Sequence, residues 1–255
     1  MFSSAEMQLL YKVANAPIQM FPYPHILVHD VFPEEFYLAL RQHLPPGNVY
    51  KTLKALGRVT GNYADARVVL PLTDPEVGAL DEPYRSFWND TKEWLLGGPF
   101  GQLMLKKFGP LLAQRFENLA ALQYRHEALI VQDHTNYSLG PHTDSPSKIL
   151  SFLFYLPADD TRPHLGTSMY VPNDASFTCP GGLHHKFEGF QRLLTMPYVK
   201  NTLFAFMKTS TAFHGVEPIS ESNVERALLL YDIRVANVPA VAAKPAVSPH
   251  TTFSF

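Results

Sequence analysis

Four side chains set the chemical question: His142 and Asp144 in Pro141-His142-Thr143-Asp144, then His214, then Arg226. In an extended segment residues i and i+2 point to one side, so His142 and Asp144 can converge on one ion. His214 follows the strand-like run Asn201-Thr202-Leu203-Phe204-Ala205-Phe206-Met207 and can approach from a second strand. Two imidazoles and one carboxylate take one face of an octahedral iron and leave the opposite face open, as oxygen activation requires. The His-x-Asp pair alone is a weak signal. The chain has 11 His and 23 Asp plus Glu; about one such pair is expected by chance, and the plainer reading is a polar turn. Arg226 heads the otherwise apolar run Arg226-Ala227-Leu228-Leu229-Leu230-Tyr231. On a surface it would need no explanation. Facing inward it needs an anion, and a carboxylate matches its planar donor fork.

The elements that must position these groups divide the chain near residue 122. Before it the pattern is mostly helical. Met7, Leu10, Tyr11 and Ala14 fall at helical spacing within residues 5 to 14. Residues 23 to 29 read as a short strand. Pro33 opens a second helix, with Glu34 and Glu35 suited to the positive end of its dipole and Pro45-Pro46-Gly47 ending it. A third helix is predicted from Asp81 and a fourth from Pro99, the latter interrupted at Gly109-Pro110. After residue 122, strands are predicted at 127–134, 149–156, 167–171, 201–207 and 226–235, separated by turn-forming segments. Helices followed by strands argue for one α+β domain with helices on one face of a sheet system. The whole of 1–255 then reads as a single catalytic domain: 1–120 helical support, 121–235 core, 236–255 a Pro-rich extended tail.

Composition narrows the class. The chain has 255 residues, 46% hydrophobic and 13% aromatic, enough for one large core. Its formal net charge is -2 and it has no long run of Lys or Arg. That argues against a nucleic-acid or anionic-membrane partner. Cys179 is the sole cysteine, so no internal disulfide can form; this suits a reducing, cytoplasmic setting. The opening residues lack the pattern of a signal peptide, and no apolar stretch approaches the length of a membrane span.

Taken together these segments resemble, in order, the iron(II)- and 2-oxoglutarate-dependent oxygenases of the prolyl-hydroxylase-like branch. Tyr23-Pro24-His25-Ile26-Leu27-Val28 with Phe32-Pro33-Glu34-Glu35 is similar to the family's entry strand and first helix. His142-x-Asp144 matches the first two iron ligands, and Phe213-His214-Gly215-Val216 the distal one. Ser151-Phe152-Leu153-Phe154-Tyr155-Leu156 resembles the strand that follows the first ligands, Gly166-Thr167-Ser168-Met169-Tyr170 the next, and Glu225-Arg226 the oxoglutarate-binding arginine. The resemblance implies a double-stranded β-helix, or jelly-roll, core with the N-terminal helices packed on one sheet. It implies Fe(II) held by His142, Asp144 and His214, 2-oxoglutarate as cosubstrate, and ascorbate as an accessory reductant. It gives Arg226 the distal oxoglutarate carboxylate, with Tyr155 bonding the same group and Ser151 lining the pocket. The activity implied is hydroxylation of a small-molecule or peptidyl substrate, with succinate and carbon dioxide released. Two positions depart from the family pattern. Leu228 stands where many relatives carry Ser or Thr, and the tyrosine that often touches oxoglutarate has three candidate matches, Tyr137, Asn136 and Gln132.

Residues 172 to 200 form an insertion-like segment with Gly181-Gly182, His184-His185, Phe187, Phe190 and Tyr198. A loop of this length is often functional, and its aromatics could cover a substrate; a rigid cap is the plainer reading. His184-His185 makes a poor second metal site, because adjacent side chains in a strand point oppositely. Three rivals remain. A nucleic-acid demethylase of the same superfamily would carry a second arginine where this chain has Asp232. A zinc-dependent hydrolase could use the triad but has no need of Arg226. A non-enzymatic metal-binding jelly roll would not require all four residues.

Overall fold

Strands whose two faces are both apolar need a cover on each side. The strand Lys148–Tyr155 is buried at seven consecutive positions, and Thr202–Met207 at all six. The computed structural model, which describes residues 2–59, 63–182 and 184–236, supplies helices on one side and a second sheet on the other. Among the described residues the helices are α1 (Phe2–Asn15), α2 (Glu34–Gln42), α3 (Asp74–Gly78), α4 (Tyr84–Gly97) and α5 (Pro99–Arg115). The strands are β1 (His25–Val28), β2 (Lys51–Thr52), β3 (Arg67–Pro71), β4 (Tyr124–His134), β5 (Leu139–His142), β6 (Lys148–Tyr155), β7 (Ser168–Pro172), β8 (Phe190–Thr195), β9 (Thr202–Met207), β10 (His214–Val216) and β11 (Glu225–Val235).

The strands form a seven-stranded sheet, β1-β9-β6-β11-β4-β3-β2, and a four-stranded sheet, β5-β10-β7-β8. Every pairing is antiparallel. This is a jelly roll with the helices on the outer face of the larger sheet. One core joins Ile130, Phe152, Phe154, Leu203 and Ala205 to Leu9, Leu40, Trp88, Phe100 and Phe108 of the helices. A second fills the space between the sheets, with Val131, Tyr155, Met169, Phe204, Phe206 and Leu228.

Helix α5 corrects one expectation: it runs unbroken through Gly109-Pro110. Interior proline costs about 3 kcal/mol. Phe100, Met104, Phe108 and Leu112 lie on one face, each at most 1% exposed. Burying each contributes roughly 1.5–3 kcal/mol, so packing outweighs the local defect. The segment before residue 122 is also less purely helical than its pattern suggests. Short β2 and β3 extend the large sheet beyond β4, and the polar chain around them hides both. The proposed tail lies outside the described residues, apart from Ala236. No helix of the described residues is long and apolar enough to cross a membrane.

Candidate functional site

The inner face of the large sheet is organised in rows running across the strands. Arg67, Asp133 and Arg226 are direct partners on β3, β4 and β11. Two residues along each strand come Val69, Val131, Leu228 and Tyr155. Near the other end Glu127, Asp232 and Ser151 form a row, followed by Arg125, Arg234 and Lys148. An apolar middle thus separates two charged ends. The smaller sheet supplies the metal-type ligands opposite this surface.

His142 ends β5 and His214 begins β10, and the two residues are paired across the ladder. Asp144 lies just beyond β5, yet it still turns to the same side. One ligand atom from each of His142, Asp144 and His214 lies within 4.8 Å of the others, and all three residues are buried. His214 Nε2 is 3.9 Å from Asp144 Oδ2. The Nδ1 atom of His142 is 3.1 Å from the Gly140 carbonyl, and that of His214 is 3.0 Å from the Ala212 carbonyl. These bonds place the ring proton on Nδ1 and leave Nε2 to face the centre, as metal-binding imidazoles require. Ser151 Oγ donates to Asp144 Oδ2 over 2.8 Å, which fixes the carboxylate. Lys148 Nζ sits 2.8 Å from Asp144 Oδ1 and 3.0 Å from Asp232 Oδ2.

The protonation states suit a cation. Burial pushes His142 well below its ordinary range, and the neighbouring His214 pushes it further. Burial also lowers His214. Burial alone would raise the Asp144 carboxyl, but Lys148, His214 and His142 together hold it below the usual carboxylate range. The result is two neutral imidazoles beside one ionised carboxylate, the form in which these ligands bind metal. The donor set therefore fits a ferrous ion. Among the described residues it is the single group of three or more such side chains close enough to share an ion.

A cavity connects this triad to the first charged row, bordered by Arg67, Thr167, Arg226 and Leu228 as well as His142, Asp144, Ser151 and His214. Arg226 is fully buried. Its Nη1 donates to Asp133 Oδ2 over 2.6 Å, its Nη2 to Thr167 Oγ1 over 3.3 Å, and its Nε to the Leu165 carbonyl. Arg67 grips both oxygens of the same Asp133, Nε to Oδ1 at 2.6 Å and Nη2 to Oδ2 at 2.8 Å. Two guanidinium groups thus share one carboxylate, leaving a net positive charge at the cavity's end. Thr167 stands beside Arg226 with a hydroxyl, in a position where Leu228 offers none. Tyr155 Oη accepts a bond from the Thr167 amide at 3.0 Å, and its ring centre is 5.7 Å from the Arg226 guanidinium.

Sequence reasoning missed Arg67, Asp133 and Lys148. The Arg67 signal was present as a charged residue at the head of Arg67-Val68-Val69-Leu70, but the strand itself was not predicted. Among the tyrosine candidates, Tyr137 lies under Arg67, its ring centre 4.4 Å from the guanidinium, and its hydroxyl is 3.4 Å from that of Tyr63.

The insertion-like segment divides: Gly182 and His184 line a cleft beside His142 and Asp144, while its aromatic residues lie elsewhere. Residues 190–195 are β8, the edge strand of the smaller sheet. Phe187 and Phe190 pack with Tyr170, Cys179 and Phe213 in a separate cluster, and Tyr198 belongs to the core between the sheets. None of the three lines the cavities bordered by the triad. The segment instead forms a strap along the ligand-bearing chain. Gly182 N bonds the Thr143 carbonyl and His185 N the Pro141 carbonyl, at 3.0 and 2.9 Å. His184 reaches the mouth, with its ring centre 4.7 Å from that of His142.

No family model matches the sequence, and no curated protein matches it. Solved structures do. A non-heme alpha-ketoglutarate-dependent carbocyclase, SnoK from nogalamycin biosynthesis, aligns with a TM-score of 0.51 at 12% identity, covering 91% of this chain and 86% of that one. HygX from Streptomyces hygroscopicus, solved with nickel, 2-oxoglutarate and hygromycin B, aligns at 0.49 and 13% identity, covering 83% of each chain. A prolyl-4-hydroxylase from Pseudomonas putida aligns at 0.47 and 13% identity, covering 91% of this chain and all of that one. The likeness to the carbocyclase establishes a shared fold, the jelly roll.

Proposed function

We propose that this chain is an iron(II)/2-oxoglutarate-dependent dioxygenase that hydroxylates a small-molecule or peptidyl substrate. The carrying observation is that His142, Asp144 and His214 converge in one cavity that also holds two buried arginines sharing one carboxylate. In this reading His142, Asp144 and His214 hold Fe(II), which supplies the oxygen chemistry when bound. The net reaction consumes a substrate C–H bond, dioxygen and 2-oxoglutarate, and yields the alcohol, succinate and carbon dioxide. Arg226, with Thr167 and Arg67 beside it, receives the distal carboxylate of 2-oxoglutarate, and Tyr155 steadies the Thr167 backbone. Ser151 and Lys148 keep Asp144 ionised and oriented. Ascorbate serves as an accessory reductant.

The chain acts as one catalytic unit in a reducing, cytoplasmic setting, a reading supported by its free, buried Cys179. The test is succinate release from 2-oxoglutarate under air. It should require Fe(II) and be lost in His142→Ala. Release without iron, or hydrolytic activity with zinc and no 2-oxoglutarate consumption, would overturn the proposal in favour of the zinc hydrolase. Absence of metal binding would favour a binding protein on the same fold.

A further inference from the structure

The second charged end of the large sheet touches the metal-type triad through Lys148 and Ser151, which hold Asp144, but Arg58, Arg125 and Arg234 border neither the triad cavity nor Arg226. It borders a cleft of about 400 Å³ whose walls include His142 and Asp144 on one side and Leu53, Arg58, Tyr63, Arg125, Glu127, Lys148 and Arg234 on the other. That volume is within the range of pockets for metabolite-sized molecules, roughly 300–1,000 Å³. Its charge pattern is unusual. Arg125, Arg234 and Lys148 are direct lateral partners on β4, β11 and β6, three cations in one row. Like charges placed opposite each other destabilise a sheet. The row beneath offsets part of this: Glu127 pairs with Arg58 and, at 2.9 Å, with Arg234, while Asp232 pairs with Arg234 at 3.2 Å and with Lys148 at 3.0 Å. Lys148 also pairs with Asp144 at 2.8 Å, so four cations meet three carboxylates and the excess charge falls to Arg125. Arg125 is exposed at the mouth and makes no ion pair with a described residue.

We infer that the hydroxylated substrate is a small molecule carrying a carboxylate or phosphate group, which Arg125, Arg58 and Arg234 grip while the rest of the molecule faces His142 and Asp144. This rests on the oxygenase reading above. Guanidinium forks match planar carboxylates and phosphates in bidentate fashion, and an anion seated between Arg125 and Arg234 would relieve their mutual repulsion. The arrangement also separates two anion sites within one barrel. Arg226 and Arg67 at one end serve the cosubstrate; the cleft row at the other end serves the substrate.

The test uses the full chain loaded with Mn(II) and saturated with 2-oxoglutarate. Inorganic phosphate is titrated and its 31P relaxation followed; 13C-labelled acetate forms a parallel arm. Manganese at the triad should relax the cleft-bound anion saturably, and the stronger binder of the two identifies the group as phosphate or carboxylate. In Arg125→Glu the apparent affinity should fall at least tenfold, and Arg58→Gln, which keeps the β4–β11 row intact, should weaken it several-fold. Circular dichroism establishes that each variant is folded. Phosphate and acetate relaxing no more than in protein-free controls would overturn the inference. So would saturable relaxation left unchanged by both substitutions, which would place the anion on the metal itself. Calorimetry of Mn(II) and 2-oxoglutarate with the unaltered protein reports separately on the oxygenase reading. If either fails to bind, that reading falls and takes the substrate assignment with it. If both bind and the anions do not, the cleft assignment alone is wrong.

Discussion

Arg226 is committed to three protein partners before any ligand arrives: Asp133, Thr167 and the Leu165 carbonyl. It is therefore held in place as well as charged, so little ordering is lost when a carboxylate docks. Removing it in Arg226→Ala should weaken 2-oxoglutarate binding by roughly 2–5 kcal/mol, the cost of unpairing a buried charged contact. Arg67 remains to neutralise Asp133, so the variant should fold. Calorimetry with manganese in place of iron checks this; an unchanged affinity would assign the carboxylate to Arg67 instead. A second residue makes a pH prediction. Lys208 is buried, and its Nζ bonds Thr143 Oγ1 at 3.1 Å and the Thr209 carbonyl at 2.8 Å. Burial lowers its pKa from 10.5 to about 8. Between those values the unfolded chain binds more protons than the folded one, so this group makes stability rise with pH. Below about pH 8 the folded protein carries the full penalty of a buried ammonium. Thermal unfolding of the unaltered protein and of Lys208→Met should show their difference shifting in favour of the unaltered protein from about pH 8 to 10.5. A pH-independent difference would mean that Lys208 is not strained by burial.

At the scale of elements, Gly181, Gly182 and His185 of the strap hold the ligand-bearing segment by close backbone contact. Gly181 has φ +134°, and a Cβ there would come within 2.1 Å of the Asp144 carbonyl. Gly140 faces the strap from the other side, where a Cβ would meet the His185 carbonyl at 2.2 Å. Backbone cannot yield as a flexible side chain does, so Gly181→Ala should push Asp144 out of register. We expect lower metal affinity and a lower unfolding temperature, both read by calorimetry. Unaltered metal affinity in a folded variant would show that the strap merely lies alongside. The aromatic residues flanking the strap have a different duty: Phe177 and Phe190 pack on Phe213, one residue before His214, and Phe187 packs on Tyr170. They brace the smaller sheet away from the cavity that His142, Asp144 and His214 border.

At the scale of the molecule, ligand binding should report on the fold. A metal that binds only the folded chain stabilises it by about 2.7 kcal/mol at a hundred times its dissociation constant. For a chain of this size that corresponds to roughly 5–10 °C in unfolding temperature. Mn(II) should produce such a shift, and His214→Ala should abolish it; an equal shift in the variant would place the ion elsewhere. Much of this architecture was legible in the sequence. The helix-then-strand texture, the strands β4, β6, β9 and β11, and the shared side of His142 and Asp144 follow from local pattern, whereas the joining of His214 to that pair comes from the family resemblance. Arg67 and its pairing with Asp133 do not follow from local pattern, because β3 is a short strand of five residues and its partner lies 66 positions away. Gly109-Pro110 misleads for the opposite reason: a strong local signal is overruled by the packing of Phe108 and Leu112. The strap was visible as a segment, but which sheet face its aromatics cover depends on tertiary contacts.

Strand β11 carries Arg226 at one end and Arg234 at the other, eight residues apart on the same side of the sheet. At about 3.4 Å per residue that spans roughly 27 Å. Between them lie Leu228 and Leu230, apolar and facing the same interior. Substitutions at Arg58 or Arg125 would reshape the cleft while Arg226 and Arg67 stay untouched. A single-residue insertion within β11 is the change this layout forbids, since it would turn one charged end to the opposite face of the sheet. Descendants of this protein should therefore diversify at the mouth and keep the length of this strand constant.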